Sequence, residues 1–116
     1  MNYEDHKGKA DRLKLTRSRL KNPDDWETYT ENCYNTALQI IACICIKRLD
    51  EHLDVHSGVP RFLRKKGLGE LAEKFDEIDQ LRHGRWYGNQ SNGDTIKKAK
   101  EIIEFLERYL ENAENK

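Results

Sequence analysis

The chain has 116 residues, 36% of them hydrophobic and 36% charged, with 21 basic side chains against 21 acidic ones. That length holds one domain, residues 1–116, with a core of its own, and so many charges suit slim helices that each show water a wide polar face. A formal net charge of zero excludes the broad positive field that draws a protein nonspecifically to nucleic acid or anionic membrane, and leaves only local patches.

The longest apolar run, Ile40 to Ile46, has seven residues, where a bilayer span needs about 20. The start, Met-Asn-Tyr-Glu-Asp-His-Lys, has no apolar stretch behind a basic end, so a secretory signal is not expected and a cytoplasmic location is. Cys33, Cys43 and Cys45 fall within one apolar pattern. The pair at i, i+2 diverges on a helix, so buried reduced thiols are expected rather than a disulfide.

In chain order, the first helix is expected from Tyr3 to Lys21. Ala10, Leu13 and Leu20 form a thin apolar stripe, and a polar face carries Lys7, Lys9, Arg12, Lys14, Arg17, Arg19 and Lys21. Asn22-Pro23-Asp24-Asp25 then reads as an N-cap, a proline at N1 and two first-turn carboxylates. The second helix is expected from Pro23 to about Leu53. Trp26, Tyr29, Cys33, Ala37, Ile40 and Ile44 make one stripe, with Tyr34, Leu38, Ile41 and Cys45 beside it. Two adjacent stripes make it apolar nearly all round, which predicts the central, most buried element.

His56-Ser57-Gly58-Val59-Pro60 breaks the pattern, and Arg61 to Lys66 is a short basic helical turn closed by Gly67. A third long helix follows from Leu68 through Leu71, Phe75, Ile78 and Leu81, ending at Gly88 as a left-handed cap. Asn89 to Gly93 reads as a loop, and Asp94 as the cap of a last helix. Its stripe is Ile96, Ala99, Ile103, Leu106, Leu110 and Ala113, with an acidic outer face of Glu101, Glu104, Glu107, Glu111 and Glu114. The fold class expected is all-α: an antiparallel up-and-down bundle of four principal helices with a short extra turn near 60–66.

Chemistry concentrates in Leu81-Arg82-His83-Gly84-Arg85-Trp86-Tyr87-Gly88. Helical spacing puts Arg82 beside Arg85 and Trp86, and His83 beside Asp79 and Tyr87. Two guanidiniums can grip a phosphate, Trp86 or Tyr87 can stack on a base, and Asp79 can orient His83. The plainer reading is a helix C-terminus, where cations meet the negative end of the dipole. Two further features carry less. His52 and His56 stand at metal-ligand spacing with Asp50 and Asp54 interleaved, but at a helix end and without the glutamate of a zinc-protease motif; solvated histidines are expected, with no metal and no cofactor. The basic stretches Lys7 to Lys21 and Arg61 to Lys66 can meet phosphates only if they fold side by side; otherwise they are solvated faces.

The layout resembles the HEPN superfamily. It is a small helical bundle with a long apolar second helix and a polar motif, Ile78-Asp79-Gln80-Leu81-Arg82-His83, ending the third. The resemblance extends over nearly the whole chain in layout and over about ten residues in motif. HEPN ribonucleases carry an arginine, an adjacent polar residue, and a histidine after four to six intervening positions. By that resemblance Arg82 and His83 take the first two places, while the third falls on Tyr87, Gly88 or Asn89, none of them histidine. A phenol is a poor base near neutral pH.

The resemblance therefore implies a non-catalytic binding module, a homodimer that recognises nucleotide, RNA or a nucleotidyltransferase partner in a toxin–antitoxin or defence setting. Its ligand-binding residues would be Asp79, Arg82, His83, Arg85, Trp86 and Tyr87. The alternatives are a metal-independent endoribonuclease using Arg82, His83 and Tyr87, and a purely structural interaction protein.

Overall fold

The structure, a computed structural model, describes residues 2–53, 58–84 and 92–115. Among them are five helices and no strand: α1 (Tyr3–Arg17), α2 (Trp26–Leu49), α3 (Val59–Lys65), α4 (Gly69–Arg82) and α5 (Asn92–Glu114). The all-α bundle expected from the sequence is therefore present, with α3 as the short extra element.

The burial of α2 organises everything else. Ile40, Ile41, Ile44, Cys33, Cys43 and Cys45 are all buried, as are Tyr29, Ala37 and Leu38. Because these residues point in nearly every direction from the helix axis, α2 must be covered on several sides. It packs against α1, α4 and α5, whereas α3 packs only on α4. Each covering helix brings a narrow stripe: Leu71, Phe75, Ile78 and Leu81 from α4, and Ala99, Ile103, Leu106 and Leu110 from α5. Removing the leucines, isoleucines and phenylalanine among them from water contributes about 1.5–3 kcal/mol apiece.

Contacts along the helices show the alternating directions. Arg17 meets Asn32 and the Tyr3 carbonyl meets Cys43, so α1 runs antiparallel to α2. Tyr34 packs on Phe75 and Arg82 reaches Glu31, which makes α4 antiparallel to α2. Lys74 lies over Phe105 and Lys98 pairs with Glu77, so α5 turns back along α4. No helix of the described residues is long and apolar enough to cross a membrane.

Several ends differ from the sequence reading. Helix α1 starts with a capping box between Asn2 and Asp5 but stops at Arg17, not Lys21. Pro23 is not at N1 of α2. It follows a cis bond after Asn22 in a turn closed by Asp25, whose N–H donates to the Lys21 carbonyl and whose carboxylate accepts from the Lys21 N–H, both at 2.7 Å. Asp25 is then the residue before the helix. At the other end α2 stops at Leu49 rather than Leu53, because Asp50 adopts the left-handed conformation (φ 54) and its N–H donates to the Ile46 carbonyl. Aspartate tolerates that region better than most residues. Helix α5 begins at Asn92, so Asp94 lies in its first turn instead of capping it.

The two basic stretches do not meet, since α1 and α3 do not pack against each other. Arg64 pairs with Asp76 at 2.8 Å and Lys66 with Glu51 at 3.0 Å, as solvated faces do. His52 sits beyond the end of α2 and is exposed; Asp54 and His56 lie outside the described residues.

Two predictions follow from the core. Ile44→Ala should lower unfolding free energy by about 2–5 kcal/mol in urea titrations, whereas Leu15→Ala, at a site 56% exposed, should change it by less than about 0.5 kcal/mol. All three cysteines are free and buried. Burial pushes Cys33 and Cys43 up to about 12 and Cys45 up to about 11, from an ordinary 9.0. A raised thiol pKa favours the folded state fully below the unfolded value, and that share is lost as pH rises through the folded one. Urea midpoints should therefore fall between about pH 9 and 12, and Cys33→Ala should flatten the decline.

Candidate functional site

Helix α4 turns Leu71, Phe75, Ile78 and Leu81 into the core. That register leaves Asp79 and Arg82, three residues apart, on the flank beside α2, with His83 next to them just past the helix. Across the seam, Glu31 and Tyr34 are also three apart on α2, so the two pairs face each other.

The resulting cluster centres on Arg82. Its Nε donates to Asp79 Oδ1 at 3.0 Å, and its Nη1 donates to Glu31 Oε1 at 3.1 Å. The guanidinium carbon stands 3.8 Å from the centroid of the Tyr34 ring, within cation–π range. Phe75 tilts against the same ring, with 5.3 Å between centroids. A guanidinium stacked on an aromatic ring keeps its planar fork fixed. Desolvation pulls the Arg82 pKa down, but the Asp79 hydrogen bond and the charges of Glu31, Tyr34 and Asp79 outweigh it and hold the value above the ordinary one. Burial likewise raises the Tyr34 pKa, against the opposing pull of Arg82.

His83 Nε2 lies 3.4 Å from Asp79 Oδ1, longer than a good hydrogen bond. The same oxygen accepts from Arg82, so Asp79 serves the guanidinium first and the imidazole second. His83 is exposed. The cluster thus holds one permanent cation and two carboxylates. A phosphate at Arg82 would meet Glu31 and Asp79, which already take its Nη1 and Nε, and nothing in this geometry offers a second base within reach of His83 for proton transfer among the described residues.

The end of α4 also differs from expectation. The helix stops at Arg82 with His83 as its cap, and Gly84 takes the left-handed conformation (φ 69), its N–H donating to the Leu81 carbonyl at 3.1 Å. The left-handed glycine that ends this helix is therefore Gly84, four residues before Gly88. Of the sequence-proposed site, Asp79, Arg82 and His83 come together; Arg85, Trp86, Tyr87 and Gly88 lie outside the described residues.

Glu31 and Tyr34 were not among the residues that the sequence pointed to. Tyr34 read as core, and Glu31 as one charge among many; only the packing of α4 on α2 makes them partners of Arg82. Arg17 was placed on the polar face of α1, yet it is among the most buried polar residues. Its signal was there: Ala10, Leu13, Arg17 and Leu20 continue a single three-and-four spacing.

Because Glu31 is 51% exposed, its pairing with Arg82 should be weak. A double-mutant cycle of Arg82→Gln with Glu31→Gln should give a coupling below about 1 kcal/mol. At Gly84 a Cβ meets no atom within 4 Å, so only the positive φ opposes it. Gly84→Ala should cost about 1 kcal/mol in urea titrations, and Gly84→Asn less.

No family model, no curated protein and no solved structure matches this chain.

Proposed function

We propose that the chain is a HEPN-like, non-catalytic binding module that forms a homodimer and engages a protein partner, a nucleotidyltransferase by the family resemblance, through the end of α4. The observation that carries this reading is the state of Arg82: stacked on Tyr34, held by two half-exposed carboxylates and still 25% exposed. Arginine is enriched among the residues that anchor protein–protein contacts. A surface of mixed charge suits a folded partner better than a polyanion, because RNA would meet Glu31 and Asp79 together with Arg82. The net charge of zero points the same way.

The lack of a ribonuclease role rests on the sequence departure at Tyr87 and on the carboxylates already occupying the guanidinium. A catalytic arginine needs its charge available to the phosphate in the transition state.

Sedimentation equilibrium should show a dimer whose dissociation constant rises about tenfold or more in Arg82→Glu, with a melting temperature within a few degrees of the wild type. Incubation with RNA in excess chelator should leave the RNA intact. A chain monomeric at all concentrations, or chelator-resistant cleavage abolished by Arg82→Ala, would overturn the reading.

A further inference from the structure

The two arginines that are buried or half-buried among the described residues are matched very differently. Arg82 has two carboxylates. Arg17 is only 9% exposed, and among the described residues no aspartate or glutamate forms an ion pair with it. Its Nη1 donates to Asn32 Oδ1 at 2.8 Å and to Thr36 Oγ1 at 2.9 Å. Both acceptors are neutral and locked in place. The Asn32 amide donates to the Leu13 carbonyl at 3.0 Å, and the Thr36 hydroxyl donates to the Asn32 carbonyl at 2.8 Å. A guanidinium held by neutral oxygens in a buried site keeps its full positive charge without a counter-ion, which is costly unless an anion completes it.

The fold supplies a place for that anion. Helices α1 and α5 both lean on α2 with their backbones apart, bridged by the Lys14–Glu107 and Tyr3–Glu114 side-chain pairs, which leaves a groove over α2. At the C-terminal end of α1 the groove widens into a cavity of about 600 Å³ lined by Arg17, within the range of small-molecule sites. Leu20, Ile103 and the Tyr29 ring line it with apolar surface, the Tyr29 hydroxyl standing beside Arg17, and Lys14 and Lys100 add positive charge. The carboxylates on its wall are Glu104 and Glu107, and Glu107 is paired with Lys14 at 3.3 Å. Three cations against two carboxylates leave the lining with a net positive charge, and of the two cations without an ion pair among the described residues, Arg17 and Lys100, Arg17 is the buried one.

We propose that this cavity binds a small organic anion. Its carboxylate or phosphate pairs with Arg17, Lys100 assists from the mouth, and its apolar body lies on Tyr29, Leu20 and Ile103. The planar fork of arginine matches both head groups in bidentate fashion. The site stands apart from the end of α4 and does not depend on the dimer.

Backbone amide NMR titrations of the full chain with phenyl phosphate, benzoate, inorganic phosphate and benzyl alcohol test the assignment. Phenyl phosphate or benzoate should give saturable shifts centred on Arg17, Tyr29 and Ile103, and the tighter of the two identifies the head group. Inorganic phosphate and benzyl alcohol, each lacking half of the ligand, should bind about tenfold or more weakly. Arg17→Gln should weaken the aromatic anion by about tenfold or more, with Arg17→Lys recovering only part. Arg17 also ties α1 to α2, so Lys100→Glu, at an exposed position, provides a variant that keeps the fold and should weaken binding several-fold. Absence of saturable binding by either anion, equal binding of benzyl alcohol, or unchanged affinity in Lys100→Glu would overturn the proposal.

Discussion

The middle of α2, residues 36–45, is buried on every side and cannot meet water. Its buried isoleucines and cysteines impose the rest of the arrangement, because three other helices must be recruited to cover it. None of those three is strongly apolar; each contributes one stripe and, Arg17 of α1 apart, keeps most of its charges outside. The high charge content follows from the same division of labour, since slim helices around one apolar rod have far more outer than inner surface. The covering is uneven. Helices α1 and α5 lie along α2 with their backbones apart and only side-chain pairs between them, and a groove remains over α2.

That geometry sorts the arginines. One sits at an edge where α4 meets α2, with aspartate and glutamate at hand, and becomes a neutralised, rigidified surface group. The other occupies a stripe position of α1 and is carried inside, where it finds an amide and a hydroxyl instead of a carboxylate. Charge alone does not distinguish them. What matters is how much water each has lost and what replaced it, because an ion pair in high dielectric is worth little and a lone buried cation is expensive. Arg82 at the edge is matched by two carboxylates, whereas Arg17 inside is matched by neutral oxygens.

The cysteines illustrate the converse. Three thiols in one helix invite thoughts of redox chemistry, but burial in apolar surroundings raises their pKa values and keeps them protonated near neutrality. The thiolate is the reactive form, so in the folded chain these groups act as small hydrophobes. The same burial that makes α2 the axis of the bundle makes its sulfur inert.

Periodicity by itself determined the helical class, the centrality of α2 and the inward residues of α4 and α5, because three-and-four spacing is a local property of the chain. It also contained Arg17 at a stripe position, although a charged residue there reads as surface until its neighbours are known. Helix ends were less legible. Asp50 ends α2 in a left-handed conformation that no glycine announced, Pro23 belongs to a turn, and Gly84 ends α4 before the later Gly88. Such ends reflect small competing energies between one more helical turn and one more loop contact. Only the tertiary structure decided which carboxylates reach Arg82, which oxygens hold Arg17 and where a cavity remains. These depend on residues far apart in the chain, 15 apart for Arg17 and Asn32 and 51 for Glu31 and Arg82, and no local pattern encodes which distant side chain will be waiting across the seam.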